Sequence, residues 1–585
     1  MVSDHIMGVR DPRRGRRGEK GELVRIEEMV KKGDVRLGPG MSRKDFLKIA
    51  GTGMAGAAML TVPGCGVFSG SGGGGGGGGG SSKAIAINLE QTIRDLDSAV
   101  TTDSVSTEIL QNVMSGLYRL DANVRPFPDM AESVDISSDR LNYTFTIRDG
   151  VTWSNGDPVT SKDFKYAWLR ALNPDTGSQY AYIITTFVKG AAKYNTGGGS
   201  PDDLAVETPD DKTLKVTLLA PAPYWLGLTS FFTYLPQNQK FVESKGDKYA
   251  LSPDALIYNG PYKMTEFNPT NGVVVVKNED YWNKDNVQVE KVDAKIVKET
   301  DTAVNLYESG QIDVTVIDSE FVTEYKGKPD LTLITQFATG WLQPNFDLPL
   351  FRNKNIRRAI QLGINRDAAN EKILNNGSKS ATGQVPPGIA GPGKETFREA
   401  EGPVMPTYNP QEAKKLFQKG LEESGESPEF ELLSDDDSLS RDLATLFQSD
   451  LEKMGAKVKV NVQPFSSRLQ LETDGNFDLT NTAWIADYND PMTFLDYFES
   501  TGPYNTFNYK NAKYDELISG AKEETDDAKR MDMLLEAERI LVEDDAAISP
   551  WRFYGSAYLV NPDVISKFVD QPYGGGKDYS LWKLA

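Results

Sequence analysis

Histidine and cysteine are almost missing from this sequence: its 585 residues hold one of each, His5 and Cys65. Beyond residue 65 there is neither. The body of the chain therefore cannot form disulfides, build a Cys/His zinc site, or run a histidine-based triad or general-base mechanism. Carboxylate-only and Ser-Lys chemistry survive that filter, and no metal or cofactor is expected. Basic charge is scarce as well. Against 84 Asp+Glu there are 64 Lys+Arg, a net charge of −20, so the chain repels nucleic acid and anionic lipid rather than seeking them. Long apolar runs are also lacking: the stretch 49–62 is apolar or small but too short to span a bilayer.

That stretch belongs to a leader. From Met41 the sequence reads "MSRKDFLKIAGTGMAGAAMLTVPGC", a basic region, an apolar run and a cysteine, which is the pattern of an export signal. "SRKDFLK" resembles the twin-arginine motif with Lys44 in place of the second arginine. "VPGC" resembles a lipobox, which implies that Cys65 becomes the acylated first residue of the mature chain and the anchor to the membrane. Residues 1–40, basic and glycine-rich, precede a credible start at Met41. After Cys65 comes "GVFSGSGGGGGGGGGSS", which lacks the Gly-Lys-Ser/Thr ending of a phosphate loop and reads as a flexible tether. Residues 1–82 are thus expected to be leader, lipobox and tether.

Past Lys83 strands and helices alternate, as in an α/β fold. "LNYTFTIRDG" puts Leu141, Tyr143, Phe145 and Ile147 on one face of a strand that ends at an Asp-Gly turn. Thr160 and Asp163 have capping-box spacing ahead of Phe164, Ala167, Trp168 and Ala171, which recur at helical intervals. "KTLKVTLLAP" and "GVVVVKNEDYW" read as strands, the second buried on both faces at Val273 to Val276. "VDAKIVK" and "QIDVTVID" flank a short helix at about 302–308. Long amphipathic helices are expected at about 409–423, 438–454 and 525–543. No internal repeat is visible.

Five separated stretches carry a resemblance: "LYRLDANVRPFPDMAES" (117–133), "YTFTIRDGVTWSNGDPVTSKDFKYAWLRALNP" (143–174), "NGPYKM" (259–264), "YWNK" (281–284) and "WIADYNDPMTFL" (484–495). In this order they resemble the oligopeptide-binding proteins of ABC importers, extracytoplasmic solute-binding protein family 5, from about residue 84 to the end. The resemblance implies a two-lobe periplasmic-binding-protein-like fold (type II, cluster C) whose lobes are joined by a hinge and close over a peptide. It implies a discontinuous first lobe (83–115, 188–285 and 555–585), an extra subdomain in it (116–187) and a second lobe (286–554). It also implies partnership with a membrane permease and its ATPase, a monomeric state, and a lipid-anchored place on the extracytoplasmic face of the cell membrane.

A receptor for many peptides must grip what they share, a main chain that pairs like a strand and a charged amine. The resemblance places the amine's partner at Asp487, with Trp484 and Ala483 beside it. Read locally, "DYNDP" is rich in turn formers, so Asp487 also reads as a turn or cap residue, and Asp490 keeps that reading. Thr102, Asp103 and Ser104 match a segment whose backbone pairs with the peptide. Asn259 and Gly260 match a cleft loop, with a structural turn as the equal alternative, and Phe465 matches an aromatic pocket position. "DDD" at 435–437 lacks the spacing and distal glutamate of a calcium loop. Where oligopeptide binders place basic residues for the peptide carboxylate, this chain has Ser440 and Asn481, with Arg441 and Arg468 nearby. A same-fold binder of a non-peptide ligand such as an oligosaccharide, a peptide sensor, and a carboxylate-pair hydrolase remain as alternatives to a peptide-importing role. The last of these is poorly served by aspartates three apart on a turn.

Overall fold

The computed structural model describes residues 84–585 apart from Pro503. The leader, Cys65 and the tether lie outside the described residues. Among the described residues the main sheet has eleven strands and reads as two halves. In the first half, Ile85–Leu89 runs parallel to both Lys291–Ile296 and Val314–Ile317, and Gly272–Lys277 and Tyr262–Asn268 follow antiparallel at its edge. In the second, Leu479–Ile485 and Lys457–Gln463 flank Glu429–Asp435 in parallel.

Two long strands cross between the halves, Leu331–Pro344 and Ser549–Val560, antiparallel to each other. Their pairing breaks midway. Thr335 faces Gly555 and Thr339 faces Phe553, so Gln336, Phe337 and Ala338 stand opposite Tyr554 alone. Extra residues on one strand bend it and interrupt its ladder, and this irregular stretch falls where the two halves join.

The strand partners bear on the lobe and subdomain bounds expected from the sequence. Residues 291–335 include three strand segments that pair with strands of the first half or with the far end of Ser549–Val560, which ties this stretch to the first half of the sheet. The four-stranded sheet around Asn142–Ile147 continues past 187: it takes in Val206–Glu207 and Thr213–Thr217, which pair with each other and join the sheet through Asn142–Ile147.

Local chemistry explains the elements. In Asn142–Ile147 the residues Tyr143, Phe145 and Ile147 are buried, and Tyr143 meets Trp225 edge-on at 4.8 Å. Each such side chain contributes about 1.5–3 kcal/mol by leaving water. The Thr160–Asp163 capping box is formed, and it starts the helix Ser161–Leu172, whose buried face includes Phe164, Ala167, Trp168 and Ala171. In the strand Gly272–Lys277, Val273 to Val275 are buried and Val276 is half-buried. The second lobe's core lies between its sheet and three helices, Lys354–Gly363, Pro410–Ser424 and Ser438–Met454, filled by Ile356, Ile360, Phe417, Phe447 and Leu451. Asn409 and Asp437 cap the second and third of these helices with side-chain oxygens. One aspartate of the 435–437 run is thereby a helix cap, and another, Asp435, holds Arg468 at 2.6 Å.

Candidate functional site

A cavity of about 460 Å³ lies where the two halves of the sheet meet. The first half contributes the end of Ile85–Leu89 with Glu90 and Gln91, and the start of the helix Ser104–Val113 with its approach, Thr102 and Asp103. The second contributes Ile485, Ala486 and Asp487, just where Leu479–Ile485 stops. The two crossing strands supply Gln336 and Ser556, and the C-terminal segment 570–577 closes one wall. Tyr180, Phe231 and Phe232 add an aromatic flank.

The lining is strongly acidic. It holds Glu90, Asp103, Glu108, Asp487 and Asp570 against one cation, Lys577. Part of that charge is satisfied internally: Lys577 Nζ sits 2.8 Å from Glu108, and the Tyr579 hydroxyl donates to the same carboxylate at 2.7 Å. Tyr558 and Gln336 donate to Asp570, whose carboxyl burial pushes up to about 6. Asp103 caps its helix through the Ser106 amide. The Glu90 carboxylate makes no hydrogen bond or ion pair among the described residues, and burial raises it above its ordinary range.

Asp487 is the other open carboxylate. It has no lysine or arginine within ion-pair distance among the described residues, and its side chain accepts one long hydrogen bond from Tyr182 at 3.4 Å. Burial pushes it up to about 6, the tyrosine hydrogen bond acting weakly in the other direction. A half-buried carboxylate with spare lone pairs is poised for a cationic donor. Its neighbour Asp490 is engaged differently, in a buried two-bond pair with Arg530 at 2.7 and 2.8 Å, and its Oδ1 also accepts from the Met492 amide.

The other expected site residues divide. Thr102, Asp103 and Ser104 line the cavity. Ala483 and Trp484 precede Ile485 on the strand but do not line it. Trp484 packs on Tyr497 and Tyr504. Phe465 lies outside the lining, 61% exposed, with Arg468 5.3 Å from its ring. Asn259 is buried, its side-chain amide pairing both ways with the backbone of Ser115. Gly260 fits against the end of Ser104–Val113, where a Cβ would come within 2.6 Å of the Met114 nitrogen. This pair therefore anchors the helix whose opposite end lines the cavity.

Nor do the positions expected near a ligand carboxylate offer a cation. Ser440 sits in a helix cap and Asn481 accepts from the Trp551 indole. Arg468 is held between Asp435 and Glu472, and Arg441 donates to the backbone of Asp436. Sequence reading passed over Glu90, Tyr180, Tyr182, Phe231 and Asp570. Only the acidic excess of the chain hinted at such a lining.

Residues 125–506 match the model of bacterial extracellular solute-binding proteins, family 5 (middle). The chain belongs to this family. Family 5 members similar to it include the dipeptide-binding protein DppE of Bacillus subtilis, 32% identical over 84% of this chain and 90% of that protein. Listeria monocytogenes OppA bound to peptide superposes with a TM-score of 0.67 at 34% identity, covering 86% of this chain and 99% of the other. The murein tripeptide binding protein MppA, in its unliganded open form, gives 0.74 at 25% identity over 86% and 98%. The two-lobe architecture is thus that of the family 5 binding proteins.

Proposed function

We propose that this protein captures oligopeptides between its lobes and delivers them to the permease of an ABC importer, while a lipid on Cys65 holds it at the outer face of the cell membrane. Asp487 carries the reading: an uncompensated carboxylate in a cavity between two sheet halves, beside the free end of a strand. A peptide that docks there pairs its backbone with the protein as an added strand and sets its amine on Asp487. At an effective dielectric near 20, charges ~4 Å apart attract by roughly 4 kcal/mol before desolvation is counted. The relatives named for dipeptides and oligopeptides support this ligand class. Closure about the crossing strands then buries the peptide and presents a surface to the permease.

Calorimetric titration with a free-amine pentapeptide and its N-acetylated twin tests the proposal. Tight binding of the free amine alone supports it. Binding of neither, with displacement of a bound sugar by oligosaccharides, redirects the assignment to glycans, and release of cleaved product would point to hydrolysis.

A further inference from the structure

A peptide with its amine on Asp487 brings a carboxylate at its other end, and the cations nearest in sequence to the expected position are engaged elsewhere. Arg552 is different. Its Nε is buried with no hydrogen-bond partner, and no carboxylate lies within ion-pair distance of it, among the described residues. Its guanidinium lies 3.3 Å over the ring of Tyr554 and 5.0 Å from that of Trp551. Burial pulls this arginine below its ordinary range, the Tyr554 phenol acts in the other direction, and no carboxylate among the described residues adds to that offset. Aromatic faces return only about 1–2 kcal/mol to a cation, while a buried guanidinium left without an anion is costly.

Its position gives the missing anion a route. Arg552, Tyr554 and Ser556 alternate as half-buried residues along Ser549–Val560, while Phe553 and Gly555 between them are buried. They share one face of the strand, and Ser556 lines the cavity. Across the sheet Arg552 pairs with Gly340, which pairs in turn with Ala483, two residues before the cavity residue Ile485. Directly paired residues point to the same face. Gly340 makes room: a Cβ there would stand 3.3 Å from Arg552 Cγ and 3.5 Å from Nε. The guanidinium head thus leans over Tyr554, along the line that leads to Ser556 and the cavity.

We infer that Arg552 receives the C-terminal carboxylate of the peptide, so that a ligand held at both ends must span the face between Asp487 and Arg552. The inference rests on the peptide-binding reading above. A planar guanidinium matches a carboxylate with two parallel hydrogen bonds. The span follows from the register. Four residues along the strand from Asp487 to Ala483, and two strand spacings across to Arg552, give roughly 13 Å by 10 Å. Allowing for side-chain reach, peptides of roughly three to five extended residues fit.

The experiment is calorimetric titration of the full-length protein and of Arg552→Gln with tri- to hexapeptides, each as the free acid and as the C-terminal amide, all with free amines. The wild type should bind the best-fitting acid about ten- to a hundredfold more tightly than its amide, with the ratio falling for longer chains. Arg552→Gln should bring the ratio to about one and leave amide affinity within about threefold. If the wild type binds neither form, the peptide reading fails and this inference with it. If the wild type binds acid and amide equally at every length, or Arg552→Gln keeps the acid preference, the inference fails alone. Should Arg552→Gln not fold, the wild-type ratios across the length series still decide.

Discussion

The hydroxyl of Tyr182, on the short helix Tyr182–Thr185, donates to Oδ1 of Asp487, just past the strand Leu479–Ile485, at 3.4 Å. That bond is too long to be strong, and it holds an acceptor at the cavity for something better. Truncation of Asp487 to alanine should therefore weaken free-amine peptides by about 2–5 kcal/mol, roughly 30-fold to several thousandfold in Kd. N-acetylated peptides should bind the variant and the wild type alike. Titration calorimetry on both peptides reads the difference, and unchanged affinity for the free amine would remove Asp487 from the site.

Acid should act on the same carboxylate in two opposite ways. Burial holds Asp487 at about 6 in the empty protein, above its ordinary 3.8. The folded state thus binds more protons than the unfolded one between these values, so the contribution of Asp487 to stability is present at low pH and is lost as pH rises towards 6. Amine binding needs the ionised form and runs the other way, weakening about tenfold from pH 7 to pH 5. At pH 7.5, Asp487→Asn should stabilise the empty protein by about 1–2 kcal/mol after allowing for solvent screening, and at pH 4 the gain should vanish. Thermal melts of the variant pair at both pH values, with peptide titrations alongside, check the two signs.

Much of this was legible in the sequence where periodicity or side-chain chemistry acts locally. The Tyr143, Phe145 and Ile147 face, the Thr160–Asp163 box and the helices at 410–424 and 438–454 stand as read. Strand partnership was not legible, because nothing within residues 291–317 says that Ile85–Leu89 lies between them. The bulge at Gln336 to Ala338 was hidden for the same reason: it is a relation between two strands. At the site, Asp487 could be named from a motif, but Glu90, Tyr182 and Asp570 come from segments with no motif and meet only in space.

Asn259 is held by the backbone beside the helix that reaches the cavity. Its amide satisfies the backbone N–H and C=O of Ser115 at 3.0 and 2.9 Å. Asn259→Ala leaves two buried backbone groups unpaired, which should cost about 1–3 kcal/mol for each one that water cannot reach. Urea denaturation should show that loss. The ratio of free-amine to acetylated peptide affinity should stay at the wild-type value, since Asp487 is untouched.

The acidic lining predicts ligand charge preference. With Glu90, Asp103, Glu108, Asp487 and Asp570 facing Lys577, a tripeptide with lysine side chains should bind several-fold more tightly than its alanine counterpart at low ionic strength. The advantage should shrink as the Debye length falls from about 10 Å at 0.1 M salt to about 3 Å at 1 M. Glu90→Gln should reduce it by about 0.5–1 kcal/mol, because this carboxylate makes no hydrogen bond or ion pair among the described residues. Titrations across a salt series with both peptides measure it, and a salt-independent ratio of one would show that the lining does not sense ligand charge.

Asp490 should behave as the opposite of Asp487, three residues earlier. It is buried with Arg530, which makes two hydrogen bonds to its carboxylate and a third to the Ala521 carbonyl. Asp490→Ala strands the guanidinium without its anion in a dry site, a loss of about 3–5 kcal/mol, and also removes the acceptor for the Met492 amide. Replacing both partners with apolar residues of similar volume should recover most of that stability, because the two desolvation penalties disappear together. Chemical denaturation of the single and double variants at pH 7 gives the cycle. Wherever these variants fold, the preference for a free peptide amine should persist, since the group that would confer it is Asp487. A variant of Asp490 that kept its stability and lost that preference would exchange the roles assigned to the two aspartates.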